Sequence, residues 1–431
     1  MYFLYSALLA AAMLLGLPYW LWQMLRHGKY RAGLRERMGK VPERLAARPG
    51  GSTIWVHAVS VGEVVAVSGL VEKWQQQFPQ HRIVISTTTD TGQKLAGSRF
   101  GQENVFYFPL DFTLAIRPYF EALQPRLVLI AETEVWPNFL RLARQSGARV
   151  AIVNARISDR SWVGYRRWRK FLPRILRNVD LFLAQGEEDQ RRLVDVGALP
   201  ERVQIAGNLK YDVPVPAPAP IVSSLRTALE QAGSGPVLVC GSTVEDEEPL
   251  LLRAFTNVLA SHPRAVLVLA PRHPERFADV ARLLEQLDVR FWRRSLWNGD
   301  AITGGVLLLD TIGELASVYA LADVAFVGGS LVPRGGHNIL EPAQHGVAIV
   351  VGNHTENFRD IVELFQNRGA VRVATPAELP LVFIELVEDE AERKTLGRRA
   401  EETSRAQRGA TARTLEALKK LAASGPARSR S

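Results

Sequence analysis

The stretch Phe326-Val-Gly-Gly-Ser-Leu-Val-Pro-Arg-Gly-Gly-His-Asn-Ile-Leu-Glu341 decides how this chain is read. An apolar run ends in paired glycines, a short loop leads to a second pair, and Asn338 to Glu341 open a new amphipathic segment. That is the order of a strand, a glycine-rich turn and a helix whose first backbone N–H groups point at an anion. Glycine lets a phosphate approach the backbone, and a carboxylate one turn into the helix can accept ribose hydroxyls. One glycine pair alone reads as an unliganded turn. Two pairs with Arg334 and Asn-x-x-Glu in a single loop favour a nucleotide.

Outward from this loop, short apolar runs alternate with longer helical patterns. Expected strands in the first half are Thr53–Ala58, Arg82–Thr87, Asn104–Phe108, Leu127–Ala131, Arg149–Val153 and Asp180–Ala184. In the second half they are Pro236–Gly241, Ala265–Ala270, Gly305–Leu309, Asp323–Gly328 and Val347–Val351. Runs of this length, bounded by Gly, Pro or Asp, indicate buried parallel strands in βαβ units. Between the halves, Asp212-Val-Pro-Val-Pro-Ala-Pro-Ala-Pro-Ile221 suits neither helix nor central strand and reads as a linker. The expected organisation is an anchor (1–25), a first α/β domain (26–211), a linker (212–222), a second α/β domain (223–423) and a tail (424–431). Ligands are expected in a cleft outside the carboxyl ends of the two sheets.

A length of 431 residues accommodates two such domains, and 47% hydrophobic with 23% charged residues is the balance of a folded protein. The single cysteine, Cys240, rules out an intramolecular disulfide and fits a reducing compartment. No Cys/His cluster has metal-site spacing. The net charge of +9 suits nucleic acid, an anionic membrane or a phosphorylated substrate. The N-terminus chooses among them. Met1 to Leu25 carry no charge and as a helix would span roughly 36 Å at ~1.5 Å per residue, enough for a ~30 Å hydrocarbon core. Tyr19, Trp20 and Trp22 stand near its end, and Arg26, His27, Lys29, Arg31, Arg35 and Arg37 follow. The positive-inside rule then puts the rest of the chain in the cytoplasm. Pro18 and Gln23 leave a helix lying in one leaflet as the competing reading.

Several segments carry candidate chemistry. Trp55-Val-His-Ala-Val-Ser-Val-Gly-Glu63 runs from a strand into a helix, which places Glu63 in the first turn. There a carboxylate is expected to stay ionised at neutral pH, as a general base must, although Ser60-x-x-Glu63 equally matches a capping box. Glu132-Thr-Glu-Val-Trp-Pro-Asn138 and Asn154-Ala-Arg-Ile-Ser158 each follow a strand and bring polar groups to one rim. Arg160 to Arg177 interleaves aromatic and basic residues, which suits an anionic membrane surface or a phosphorylated lipid better than nucleic acid behind a membrane anchor. Pro271-Arg-His-Pro-Glu-Arg276 offers Arg272 to a phosphate, while His273 and Arg276 are ambiguous. Lys210 lies just before the linker; Gly241-Ser-Thr-Val-Glu245 and Ile312-Gly-Glu314 are further turns of the second sheet.

Taken in order, the anchor, Val59–Glu63, Glu132–Asn138, Asn154–Arg156, Ala270–Phe277 and the Gly328–Glu341 loop resemble the membrane-associated transferases that attach 3-deoxy-D-manno-oct-2-ulosonic acid (Kdo) to lipid A precursors. The resemblance implies an α/β fold of GT-B type, with two facing Rossmann-like domains and an N-terminal membrane-anchoring helix. It also implies an inverting glycosyltransferase with CMP-Kdo as donor, a lipid A precursor as acceptor, and no separate cofactor or metal. The partners would be these substrates and inner-membrane lipids, not nucleic acid, with the catalytic domains on the cytoplasmic face. Carried over by position, Glu63 corresponds to the catalytic base, and Glu132 and Lys210 to residues stabilising the transition state. Pro271, Arg272, Ile312, Gly313, Glu314, Asn338, Ile339, Leu340 and Glu341 correspond to CMP contacts. The alternatives are a UDP-sugar-dependent GT-B enzyme of the inner membrane and a non-catalytic lipid-binding protein.

Overall fold

The computed structural model describes residues 1–27, 32–45, 52–215 and 219–423. Lys29 and Arg31 of the basic run, the middle of the proline-rich segment and the expected tail lie outside the described residues. The chain divides into two compact units, Met1–Val213 with Arg408–Ser431, and Pro214–Gln407.

The first unit is built on seven strands: β1 (Thr53–His57), β2 (Arg82–Thr87), β3 (Val105–Tyr107), β4 (Pro125–Ala131), β5 (Arg149–Ala155), β6 (Leu181–Ala184) and β7 (Val203–Ile205). Their order is β3-β2-β1-β4-β5-β6-β7, and every pairing is parallel. The chain moves outward from β1 to β3, then returns to the other side of β1 at β4. That reversal leaves a crevice outside the carboxyl ends of β1 and β4. Trp55 of β1 anchors one face of the sheet, its ring 4.9 Å from Phe139 and 5.1 Å from Phe120 between centroids. Aromatic pairs of this kind add about 0.5–1.5 kcal/mol each beyond the area they bury.

The second unit repeats the plan with β8 (Val237–Thr243), β9 (Val266–Pro271), β10 (Phe291–Arg293), β11 (Gly305–Leu308), β12 (Val324–Val327), β13 (Ala348–Val351) and β14 (Arg372–Val373). The order is β10-β11-β9-β8-β12-β13-β14, again all parallel, with the reversal between β8 and β12. The eleven expected strands are all present, within two residues at each end. The three unexpected ones (β7, β10 and β14) are edge strands of two or three residues with no continuous apolar run.

Two expectations about organisation are corrected. The proline-rich segment is not irregular throughout, because a 3₁₀ turn covers Leu209–Asp212 and Pro220 begins the helix Pro220–Ala232. Proline is tolerated there because the first turn of a helix has no use for its N–H. The second domain also does not extend to residue 423. The helix Ala410–Ala423 packs on the first sheet, with Ala410, Leu415 and Leu418 buried in one core with Ile54, Val64 and Leu129. The Asp212 carboxylate fixes its start by accepting the Gly409 N–H at 2.7 Å and the Thr411 N–H at 2.5 Å.

At the N-terminus, Tyr2–His27 form one helix through Pro18, and 19 residues of it, Tyr2–Trp20, are long and apolar enough to cross a membrane. Its first turns touch the first unit, where the Asn138 amide donates to the Ser6 hydroxyl at 3.0 Å.

Candidate active site

In the first unit the expected residues gather at the β1/β4 reversal. After β1 the backbone is still extended at Ser60 and the helix Val61–Gln77 then starts, which puts Glu63 at its third position. The Glu63 carboxylate reaches back to accept the Val59 N–H at 2.7 Å and the Ser60 hydroxyl at 3.1 Å. It ties down the turn before the helix, but the reciprocal capping box does not form, because the Ser60 side chain accepts no helix N–H. The side chain is only 9% exposed. The expectation that the positive helix end keeps it ionised at neutral pH is corrected: its pKa rises from the ordinary 4.5 to about 7. Burial is the largest cause; the Val59 N–H opposes it, Glu132 and Glu134 add repulsion, and the Ser60 hydroxyl again opposes it. Desolvation outweighs the helix end, and the result is a carboxyl group poised to exchange a proton near neutrality.

Glu132, the first residue beyond β4, has a left-handed backbone with φ 56°. Its N–H is held by the Val153 carbonyl of β5 at 2.9 Å, and its Oε1 meets the Lys210 ammonium at 3.0 Å. Two residues on, burial and then Glu132 push the Glu134 carboxyl above the usual range. The motifs after β4 and β5 do come together, for Thr133 Oγ1 accepts the Arg156 N–H at 3.0 Å. Tyr165 extends the same group, donating to the Thr133 carbonyl at 3.4 Å. Among the described contacts, Asn138 turns elsewhere. Its side chain is buried and donates to the Asp111 carbonyl at 2.6 Å, while Asp111 caps the helix Pro137–Gln145 through the Asn138 and Phe139 N–H groups.

In the second unit the opening loop departs from expectation. After β12, the N–H groups of Gly329, Ser330 and Leu331 do converge on an anion, but the anion is the protein's own Glu247 carboxylate, at 2.7, 2.8 and 2.8 Å. Glu247 also accepts the Val244 N–H at 3.0 Å. Gly328 is required by packing, since a Cβ there would fall 2.5 Å from the Ser242 carbonyl oxygen and 2.7 Å from Thr243 Cα. The helix expected from Asn338 is a single turn, Leu340–Ala343, too short to present a strong positive end. Asn338, one residue ahead of its N-cap, accepts the Leu340 N–H at 3.2 Å and donates to Glu341 Oε1 at 3.3 Å.

The polar groups that remain cluster around Arg272. Burial raises the Glu341 pKa, opposed by the Asn338 amide and the Arg272 charge. Burial lowers His337 to about 4, helped by Arg272 and His273, so its imidazole is neutral at pH 7. Arg272, exposed just beyond β9, thus shares a neighbourhood with His273, His337, Asn338 and Glu341. Pro271, Ile339 and Leu340 are buried, so a ligand would meet their backbone at most. Ile312 is 79% exposed, Gly313 is left-handed at φ 89°, and Glu314 pairs with Arg294 at 2.9 Å and with the Thr311 hydroxyl. Because β11 lies beside β9, that turn opens on the same sheet edge as Arg272. Arg276 is structural, holding Glu248 through both terminal guanidinium nitrogens at 2.6 and 3.1 Å. Glu247 escaped the sequence reading, although an acid immediately before a helix that follows a strand is a recognisable signal.

Two Rossmann-like units, each with charged groups at the carboxyl ends of its central strands, make a fold of GT-B type, a plan that hosts more than one activity. The fold is shared with the UDP-GlcNAc 2-epimerase from Neisseria meningitidis solved with UDP-GlcNAc, at a TM-score of 0.57 and 12% identity over 85% of this chain and 100% of that one. The family model for 3-deoxy-D-manno-octulosonic-acid transferase (kdotransferase) matches residues 32–213. The 3-deoxy-D-manno-octulosonic acid transferase of Haemophilus influenzae is 36% identical over 396 residues, covering 91% of this chain and 92% of the relative. The transferase of the same name from Bordetella pertussis is 35% identical over 421 residues, covering 93% and 94%. The chain belongs to the Kdo transferase family and is a glycosyltransferase that transfers Kdo.

Proposed function

We propose that the enzyme moves Kdo from CMP-Kdo to a primary hydroxyl of a lipid A precursor, with inversion at the anomeric carbon, on the cytoplasmic face of the inner membrane. The observation that carries this reading is the Glu63 carboxyl, buried at the start of the helix after β1 with Glu132 and Glu134 near it and Lys210 paired to Glu132.

Deprotonated Glu63 takes the proton of the acceptor hydroxyl as its oxygen forms the new glycosidic bond and the bond to the CMP phosphate breaks. CMP leaves as a phosphate monoester, so no second carboxylic acid is needed to protonate it, unlike the pair of an inverting glycosidase. Charge growing on that phosphate calls for cationic and N–H donors, and Arg272 is the side chain suited to it. Glu341 and Asn338 beside Arg272 suit the ribose hydroxyls. Lys210, held by Glu132, offers a second positive charge for the transition state. Basic side chains supply what a metal would, and the proposed chemistry uses no cofactor beyond the donor.

The acceptor's membrane agrees with the apolar helix at the N-terminus and with Arg166, Arg167 and Arg169 set beside the exposed Val163, Trp168 and Phe171. The deciding experiment incubates the enzyme with tetraacylated lipid A precursor and a CMP-Kdo supply, and reads Kdo addition by mass spectrometry. Absence of the product with folded, membrane-reconstituted protein refutes the proposal, as does inhibition by UDP in preference to CMP.

A further inference from the structure

The buried side chain of Asn154, which the proposed mechanism does not use, holds the backbone just before Lys210, and the residue before Asn154 holds that of Glu132. β5 reaches the edge of the site at Asn154, where the backbone turns left-handed with φ 55°. Asparagine tolerates that conformation better than most residues with a Cβ. The residue is 1% exposed. Its Oδ1 accepts the Leu209 N–H at 2.9 Å, and its backbone carbonyl accepts the Gln185 amide at 3.1 Å. Leu209 is the residue before Lys210, at the start of the short turn Leu209–Asp212, and it is itself buried. Val153, the residue before Asn154, accepts the N–H of Glu132 at 2.9 Å. Val153–Asn154 is therefore a common footing for both members of the Lys210–Glu132 pair: one stands on it through a backbone bond, the other through a side chain.

The arrangement matters because Lys210 and Glu132 are 78 residues apart and neither belongs to a long element that would place it. A lysine carries a flexible stem, so its ammonium is only as well placed as the backbone beneath it. Asn208 fixes one side of that backbone by accepting the Lys210 N–H at 3.0 Å, and Asn154 fixes the other from across the sheet. Without Asn154 Oδ1 the Leu209 N–H would be buried and unsatisfied, and the turn would shift to find water.

We propose that Asn154 is a positioning residue for Kdo transfer, holding the Leu209 amide so that the Lys210 ammonium stands at Glu132. The proposal rests on the role given to Lys210 above, and the test separates the two. N154G removes the acceptor while leaving a backbone that adopts the left-handed conformation freely. Kinetics of N154G, K210A and the double variant on lipid A precursor and CMP-Kdo form a mutant cycle. N154G is expected to lower kcat about tenfold with both KM values within about twofold, the pattern of an interaction realised in the transition state. In the K210A background the same change is expected to cost less than about twofold, because its target is gone. Equal losses in both backgrounds, or an unchanged kcat in N154G, overturn the positioning role. A K210A enzyme of normal rate overturns the Lys210 reading instead and takes this proposal with it. N154D keeps both the left-handed tolerance and an oxygen facing Leu209, so it is expected to lose no more than about threefold in kcat. A folded N154D as slow as K210A overturns the proposal, because an oxygen facing the Leu209 N–H would then not suffice. N154D decides the question alone should N154G not fold.

Discussion

Glu63→Gln is expected to make the protein more stable and nearly inactive. The magnitude follows from the site. Glu63 titrates near 4.5 in an unfolded chain and near 7 in place. At ~1.4 kcal/mol per pH unit, that displacement amounts to about 3 kcal/mol of destabilisation at pH 8, as an upper bound. The sign follows from proton binding: between the two values the folded state holds the proton and the unfolded state does not, so stability falls as pH climbs through that window. Glutamine carries no charge to desolvate and keeps both contacts, its oxygen accepting from Val59 and its amide donating to Ser60 Oγ. In urea unfolding, E63Q is expected to exceed the native protein by about 1–3 kcal/mol at pH 8 and to match it near pH 4. Transfer should fall by at least about 10²-fold, since an amide cannot take the proton. A stability difference that does not change between pH 4 and 8 would refute the burial argument. Near-normal turnover would remove Glu63 from the role of base.

Other consequences of the same geometry are open to measurement. In the native enzyme kcat/KM should rise with pH through about 7 and lose that limb in E63Q; a limb near 4.5 would mean that Glu63 is solvated in the working enzyme. R272A should weaken CMP binding by about 10–100-fold in calorimetry while leaving the melting temperature nearly unchanged, because the side chain is exposed. E247A should cost about 3 kcal/mol or more of stability, since it leaves buried N–H groups of Gly329, Ser330 and Leu331 without their acceptor; an unchanged melt would contradict that. Removing residues 1–25 should reduce flotation with anionic vesicles more than it reduces CMP affinity; equal losses would make that helix part of the fold.

The layered α/β plan was legible because central parallel strands are buried on both faces and must read as apolar runs. Edge strands such as Arg372–Val373 carry no such signal, and the return of Ala410–Ala423 to the first sheet depends on contacts far apart in sequence. At the sites, the types and order of residues were readable, while their environments were not. Spacing placed Glu63 at a helix start and suggested a stable anion. The packed surroundings and two nearby carboxylates, invisible from residues 55–63, reverse that expectation. The Gly328–Gly329 turn did mark an anion-binding arrangement of N–H groups, but the occupant, Glu247, lies 82 residues from Gly329. Ile339 and Leu340 belong to the motif expected to contact CMP, yet their own side chains serve the core.

The packing of Ala410–Ala423 against the first sheet makes one unit discontinuous in the gene and the other an unbroken insertion within it. During synthesis, residues 214–407 emerge in one piece and can complete their own sheet at once. The earlier-made half must wait, with Ile54, Val64 and Leu129 lacking part of their cover, until the ribosome has released the segment beyond residue 407. A nascent chain arrested shortly before that point should therefore expose apolar surface from its first half alone, which gives chaperones a defined interval in which to bind it.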